Sequence, residues 1–474
     1  MLNVQAYIDG KWVEGSGERT DYFAAYDGAQ LGTSAGCTDA DINAAVEAAR
    51  AAQSAWAAMP LLDKADLFYR AFEICLTKNE AIAQEISKEM GKTIHEAREE
   101  MELYGALHFR RATEDMMRFR GQTLPDTETR TNNMRTLVRH YPLGVIGVIS
   151  PFNFPVDIPA IGITYALISG NTVIWKPSDA CPGSTSIYAS IFEEAGFPPG
   201  VFNFVPGGPG AGSALVEHDD VNGIFFTGST AVGRSITERA GFKRLLLELG
   251  GMGPLIVHSD AEIDRAADAA VNGCFYMAGQ VCTSAQRVLV HRDIEAQFTE
   301  TLNAKVKLLR IGDPLDEATD MGPLIHDRAV EKMQAHVDDA TSKGATVYQF
   351  HERDGRVYPP TVITGVTSEM LAAREETFGP IAAVMSYSTV DEAIAIANDT
   401  EYGLNAAVFT QSVRDSWRFI DELQFGTVLV NETTNFWDQL APFGGVKSSG
   451  VGRELSTDAL LSFTEKKTIV LNVA

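Results

Sequence analysis

Three reactive side chains, far apart along a chain of 474 residues, each occupy a short setting rich in glycine or proline. Cys282 stands in Gly279-Gln280-Val281-Cys282-Thr283, just after a stretch of helical pattern at 261–277. A thiol in a loop of small residues is open to a substrate, and its thiolate is a nucleophile. Glu248 stands in Glu248-Leu249-Gly250-Gly251, at the end of the apolar run Leu245-Leu246-Leu247. A carboxylate there, beside a backbone made approachable by two glycines, can activate water as a general base. Asn153 stands in Pro151-Phe152-Asn153-Phe154-Pro155. The two prolines restrict the backbone around it, so its amide can be a preorganised donor to a developing oxyanion. Each residue also has an ordinary reading: an inert core thiol, a solvated loop carboxylate, a turn asparagine. Taken together they offer a nucleophile, a base and an oxyanion donor, the parts of covalent catalysis by a thiol.

Such parts need a scaffold that brings distant segments together, and the pattern supplies one. Ile42, Val46, Ala49 and Trp56 recur near helical spacing after Thr38, which predicts a helix over 39–58. A second helix is expected from Lys64 to about Met90, ending at Gly91, and a third over 93–119. From residue 143 short apolar runs alternate with helical stretches, the rhythm of βα units building a mostly parallel sheet. The expected strands are 145–149, 172–175, 202–205, 223–226 and 245–247, with helices at 157–169, 183–195, 210–217 and 230–240. A second series starts at Pro254–Val257 and runs to about 430, so two α/β lobes meet near Gly250-Gly251.

Composition narrows the function. The chain carries 39 Lys plus Arg against 63 Asp plus Glu, a net charge of -24, so its average field repels nucleic-acid backbones and anionic lipid. Neither kind of partner is expected. The five cysteines show no zinc-type spacing, so no metal site is expected, and reduced thiols in a cytoplasmic setting are the simplest reading. No basic segment followed by an apolar one opens the chain, and the most apolar region, 143–175, is interrupted by prolines, asparagines and Asp157.

The three segments resemble the oxyanion, general-base and nucleophile motifs of the aldehyde dehydrogenase superfamily. Four more matches are interleaved in that family's order: Trp175-Lys176-Pro177-Ser178, Phe226-Thr227-Gly228-Ser229-Thr230, Glu376-Thr377-Phe378-Gly379-Pro380 and Pro442-Phe443-Gly444-Gly445. The resemblance implies a Rossmann-like cofactor domain (1–120 and 142–250), an α/β catalytic domain (251–449) and a small β-rich oligomerisation arm (121–141 and 450–474). It implies that a small aldehyde is oxidised to its acid with NAD(P). Cys282 would form the thiohemiacetal and thioester, Asn153 and the Cys282 N–H would hold the oxyanion, and Glu248 would activate water. Ile149, Lys176, Ser178, Asp179, Gly228, Ser229, Gly233, Glu376 and Phe378 would hold the cofactor. Asp179, three residues after Lys176, can accept both adenosine-ribose hydroxyls and repels a 2′-phosphate, so NAD is favoured, with room left for NADP.

For the substrate, the resemblance points to the helix near 104–119 and to residues before the nucleophile, which here offer His108, Arg111, Asp115, Arg118 and Tyr276. Cationic groups on one helix suit a semialdehyde or other anionic aldehyde, or form an ordinary solvated basic face. Two alternatives stay open: transfer of the acyl group to coenzyme A, and a catalytically silent structural protein on the same fold. A homodimer or homotetramer is expected from the arm.

Overall fold

A computed structural model describes residues 1–126 and 128–474; Thr127, within the arm expected at 121–141, lies outside the described residues. The α/β expectation holds: the chain builds two large sheets flanked by helices. In the first, strands Val145–Ile149, Thr172–Lys176, Phe202–Phe204, Gly223–Thr227 and Arg244–Glu248 are parallel. Val145–Ile149, Thr172–Lys176 and Gly223–Thr227 are buried at every position, which is why they read as unbroken apolar runs rather than alternating ones. Two edges are capped by antiparallel pieces that the pattern did not announce: Ala6–Ile8 with Lys11–Val13 on one side, Gly450–Val451 on the other.

The second sheet has seven strands, from Thr346–Gln349 through Pro254–Val257 to Thr427–Val430, all parallel except the edge strand Thr346–Gln349. Each sheet has its own apolar core, and the chain passes from the first sheet to the second between Glu248 and Pro254. Strand Thr464–Asn472 pairs antiparallel with Met134–Pro142, which pairs with Gln122–Leu124, making a separate three-stranded sheet from the two expected arm segments. No helix among the described residues is long and apolar enough to cross a membrane.

The helices start and stop where local chemistry says they should. Helix Asp39–Ala58 opens on a Thr38/Asp41 capping box, and helix Leu61–Met90 ends at Gly91, whose φ of 89° is the left-handed stop that glycine adopts without strain. The single helix expected over 93–119 is instead three pieces: Ile94–Glu99, a π-helical segment Glu100–Gly105, and Leu107–Arg118. The wide turn accompanies a job done by Glu100. Its Oε1 accepts the Val156 and Asp157 amides, both at 2.9 Å, at the start of helix Asp157–Ile168, while its Oε2 meets Lys92 Nζ at 2.6 Å. That ion pair is fully buried, and Lys92 also lies over the Phe154 ring.

A buried pair contributes little over apolar packing, but removing one partner strands the other charge. Glu100→Leu leaves Lys92 unpaired and two helix N-terminal amides unfilled. It should cost about 3–5 kcal/mol of unfolding free energy, read from the shift in denaturant midpoint; an unshifted midpoint contradicts this account.

Candidate active site

The parallel strands of the first sheet lie in the spatial order Phe202–Phe204, Thr172–Lys176, Val145–Ile149, Gly223–Thr227, Arg244–Glu248. The chain therefore works outward in one direction from Val145–Ile149 and then restarts on its other side. At such a reversal the connections leave in opposite directions and open a crevice beyond the strand ends. A cavity of about 710 Å³ lies there, with Ile149 on one side and Phe226 on the other. Lys176, Ser178 and Asp179 line it beyond strand Thr172–Lys176, Gly228 and Ser229 beyond strand Gly223–Thr227. Glu376 and Phe378 reach it from the second lobe. Helix Thr230–Arg239 starts at this wall, with Ser229 Oγ accepting the Val232 amide at 3.4 Å, so its positive end and remaining amides face the crevice.

Gly233 is the exception among the nine residues expected here. It does not line the cavity; a side chain on it would collide with Leu249, so its smallness lets the helix pack on the sheet. The sequence reading missed Pro209, Val232, Arg239 and Lys332, which line the same walls from three different helices and carry no local motif.

Cys282 is where this cleft meets a second, much smaller chamber of about 40 Å³. It is the one cysteine of the five that is not buried. Its loop is reached through three successive left-handed residues, Met277 (φ 51°), Ala278 (φ 54°) and Gly279 (φ 70°). Two of these are not glycine, a conformation that persists only where neighbours hold it. Glu96 does so by accepting the Met277 amide at 2.7 Å while also closing a capping box on Thr93. The Gln280 carbonyl accepts Asn153 Nδ2 at 3.0 Å, which joins the oxyanion candidate to the nucleophile loop and leaves the second N–H of that amide free of this bond. Asn153 lines the large cleft beside Cys282.

Glu248 ends its strand 2% exposed and lines the small chamber with Cys282. Neither of its carboxylate oxygens has a hydrogen-bond partner. Burial holds its proton well above the usual carboxylate range, and the neighbouring Glu454 pushes the same way. The Arg453 guanidinium opposes this, as does the Gly445 amide, which is close enough to favour the anion without making a bond. Glu454, a residue the sequence reading passed over, lines the chamber too, and burial, with Asp157 adding, raises it to about 8. Its only signal lay in register: Phe443 and Glu454 exchange both backbone hydrogen bonds, which carries the turn after Gly452 back to the late motif. Burial and then the carboxylates of Glu248, Glu454 and Glu376 raise the Cys282 thiol above its ordinary value.

The five expected substrate residues do not form one group. His108 is fully buried and holds Asp157 Oδ1 at 2.6 Å, and Asp157 lines the chamber. Arg111 is partly buried, gives one hydrogen bond to the Leu103 carbonyl at 3.2 Å, forms no ion pair, and feels the charges of Asp157 and Asp438. Tyr276 donates to Glu99 at 3.1 Å and packs on Trp437, a chamber wall. Asp115 instead accepts from Tyr165 at 2.7 Å and pairs with Arg118 at 2.8 Å, and Arg118 is largely exposed. Neither lines the chamber or the cleft. His108, Arg111, Asp115 and Arg118 share one face of helix Leu107–Arg118 but are spread along its length, Tyr276 sits on a separate short helix, and none of the five lines either space.

A family model described as "Aldehyde dehydrogenase family" matches residues 12–469. A relative in Mycolicibacterium smegmatis, named for succinate semialdehyde and NADP(+), is 40% identical over 460 residues, 94% of this chain and 87% of its own. The non-phosphorylating aspartate-semialdehyde dehydrogenase of Halomonas elongata is 38% identical, covering 98% of this chain and 95% of its own. Among solved structures, the NAD+ complex of aldehyde dehydrogenase from Bacillus cereus superposes with a TM-score of 0.96 at 34% identity, covering 100% of this chain and 97% of that one.

A protonated Glu248 cannot take a proton, so any turnover that uses it falls as pH drops through its raised pKa. Glu454→Gln removes one carboxylate that opposes its ionisation. The rising limb of the pH–rate profile should move to lower pH by about one unit. A limb that stays put or moves upward contradicts the coupling.

Proposed function

The chain belongs to the aldehyde dehydrogenase family, and on that footing we propose that it oxidises a small aldehyde to the carboxylic acid through a thioester on Cys282, with water as the acyl acceptor. The observation that carries this is the position of Cys282 at the junction of two spaces, a large cleft on one side and a small chamber lined by Glu248 on the other.

The residues fit a nicotinamide dinucleotide. A helix N-terminus and Gly228 suit the pyrophosphate, Lys176 and Asp179 one ribose, and Glu376 the other, with Phe378 as an apolar wall. When bound, the nicotinamide accepts a hydride from the reacting carbon. The protein's own part starts with the thiol. Cys282 loses its proton to water in the open cleft, the thiolate attacks the aldehyde carbon as the carbonyl bond's electron pair moves to oxygen, and the new oxyanion is received by the Asn153 side chain and the Cys282 N–H. Its collapse with loss of hydride leaves the thioester. Glu248 then takes a proton from water as that water attacks, the acid departs, and the thiolate is restored. Burial shifts both Glu248 and Cys282 toward their protonated forms, so each must lose its proton before the step it serves.

Asp179 supports NAD over NADP, since a carboxylate repels the 2′-phosphate. The semialdehydes named for the relatives support an anionic tail on the substrate, for which Arg111 is the available unpaired cation beside the chamber. The exposed Val470, Leu471 and Val473 on and beyond the terminal strand support pairing of chains through the arm, as a homodimer or homotetramer.

Rapid mixing with aldehyde and NAD separates the steps. Glu248→Gln should keep a burst of one NADH per site and lose steady turnover by about a hundredfold or more; Cys282→Ser should lose both. A Cys282→Ser protein that turns over like wild type would defeat the assignment, and acyl-coenzyme A formed in preference to acid would replace water as the acceptor. Measured with both cofactors, kcat/KM should favour NAD about tenfold or more, and Asp179→Ser should narrow the ratio, since one removed charge repulsion is of that order.

A further inference from the structure

Five buried oxygen atoms without a hydrogen-bond partner belong to residues that line the 40 Å³ chamber: Thr227 Oγ1, both oxygens of Glu248, Gln439 Oε1 and Glu454 Oε2. Asp157 joins them on the same wall, with His108 holding only its Oδ1. The remaining walls are apolar, chiefly Phe154, Trp437 and Phe443. Buried polar atoms in folded proteins are almost always paired, so a concentration of orphans in one small space marks what that space is built to receive. The Glu248 oxygens and Thr227 flank the reacting thiol and serve the attacking water. That leaves Gln439 and Glu454, with Asp157, unexplained by the thioester chemistry.

The chemistry of these groups restricts what can fill the chamber. No cationic side chain among the described residues lines it, so a carboxylate or sulfonate placed inside would sit among Asp157, Glu248 and Glu454 without a direct ion pair, Arg453 acting on Glu248 from outside the lining. An all-alkyl chain would seal the orphan acceptors against carbon and leave them unpaired. A hydroxyl does neither. It donates to a carboxylate, and because it both donates and accepts it serves the Gln439 amide in either orientation. Space sets the position: about 40 Å³ holds only a few heavy atoms, so the hydroxyl must lie close to the carbonyl carbon.

We propose that the chamber selects a 2-hydroxyaldehyde, the hydroxyl being read by Gln439 and Glu454 and any anionic tail pointing out toward Arg111. This rests on the thioester reading above and adds the substrate class to it. Gln439 is the specificity-determining residue; it comes from the same loop as Trp437 and makes no contact with the reacting thiol's own loop among the hydrogen bonds of the described residues.

The test uses the two enantiomers of 2-hydroxypropanal, which have the same intrinsic reactivity and hydration, with propanal as the reference. Acceptors fixed on one wall should favour one enantiomer about tenfold or more in kcat/KM, and that enantiomer should exceed propanal when rates are referred to the free aldehyde. Gln439→Leu should cut the favoured enantiomer's kcat/KM about tenfold more than it cuts that of propanal, erasing the discrimination between enantiomers. Equal rates for the two enantiomers in the wild-type protein overturn the proposal without any variant being needed. So does a Gln439→Leu enzyme that discriminates as before. The reading on which it rests fails differently: a propanal reaction with no Cys282-dependent NADH burst would sink the thioester, whatever the enantiomer ratio.

Discussion

Gly251 lies flat against the carbonyl of Cys282, so close that a single added carbon would collide with it. That contact is where the segment following Glu248 passes the loop carrying Cys282, and the rest of the candidate site depends on keeping it. Apolar packing alone does not fix so close an approach, because apolar contacts are indifferent to small slides. Directional bonds do. Glu376 accepts the Gly251 amide at 2.8 Å, Gln286 donates to the Gly251 carbonyl at 3.0 Å, and Ser449 donates to the Gly250 carbonyl at 2.7 Å. Gln280 and Glu96 hold the other side of the seam. The two lobes have separate apolar cores, and the line between them is stitched by buried carboxylates and amides.

The same polar seam sets the electrostatics. Glu248, Glu454 and Glu376 are all nearly dry, and all are pushed toward the protonated form by burial. A site that ionised all of them at rest would bring several like charges into a poorly solvated space beside a thiol. Keeping them acidic avoids that cost, and it also explains how a carboxylate can serve near neutral pH as a base, since a raised pKa strengthens its pull on a proton. The cost is coupling: ionising any one of these groups makes the next harder to ionise.

Legibility in the sequence followed the range of the interaction. Helix Asp39–Ala58 and the buried strands were readable because their signals, capping residues and apolar runs, are complete within a few residues. Cys282, Glu248 and Asn153 stood out as candidates because glycine and proline around them reflect local backbone demands, and the fold brings them to adjoining spaces. Glu454 was not, because what makes it part of the site is a pairing with Phe443 across an irregular turn in which Leu455 and Ser456 are left-handed. The break of helix 93–119 was hidden for a related reason: Glu100 has ordinary helix propensity, and its partners, Lys92 and the Val156 and Asp157 amides, are known only once the fold is. Gly233 matched a cofactor pattern, yet its neighbour is Leu249. Arg118 and Arg111 share a helix, but seven residues and a surface ion pair with Asp115 put Arg118 in water.

The two cavities differ in how freely evolution can alter them. The large cleft is framed by strand ends and a helix start in the first sheet, so most changes there disturb the core beneath. The chamber is closed by the loop carrying Trp437, Asp438 and Gln439, by the turn at Glu454-Leu455, and by Asp157 at a helix end. Loop residues answer to fewer packing constraints than strand residues do. A change at Gln439 alters what fits against Cys282 without moving the glycine contact that aligns sulfur and carboxylate. On the proposed reading, substrate range is set by residues outside the candidate motifs, and overall identity to semialdehyde dehydrogenases identifies the family more sharply than the aldehyde.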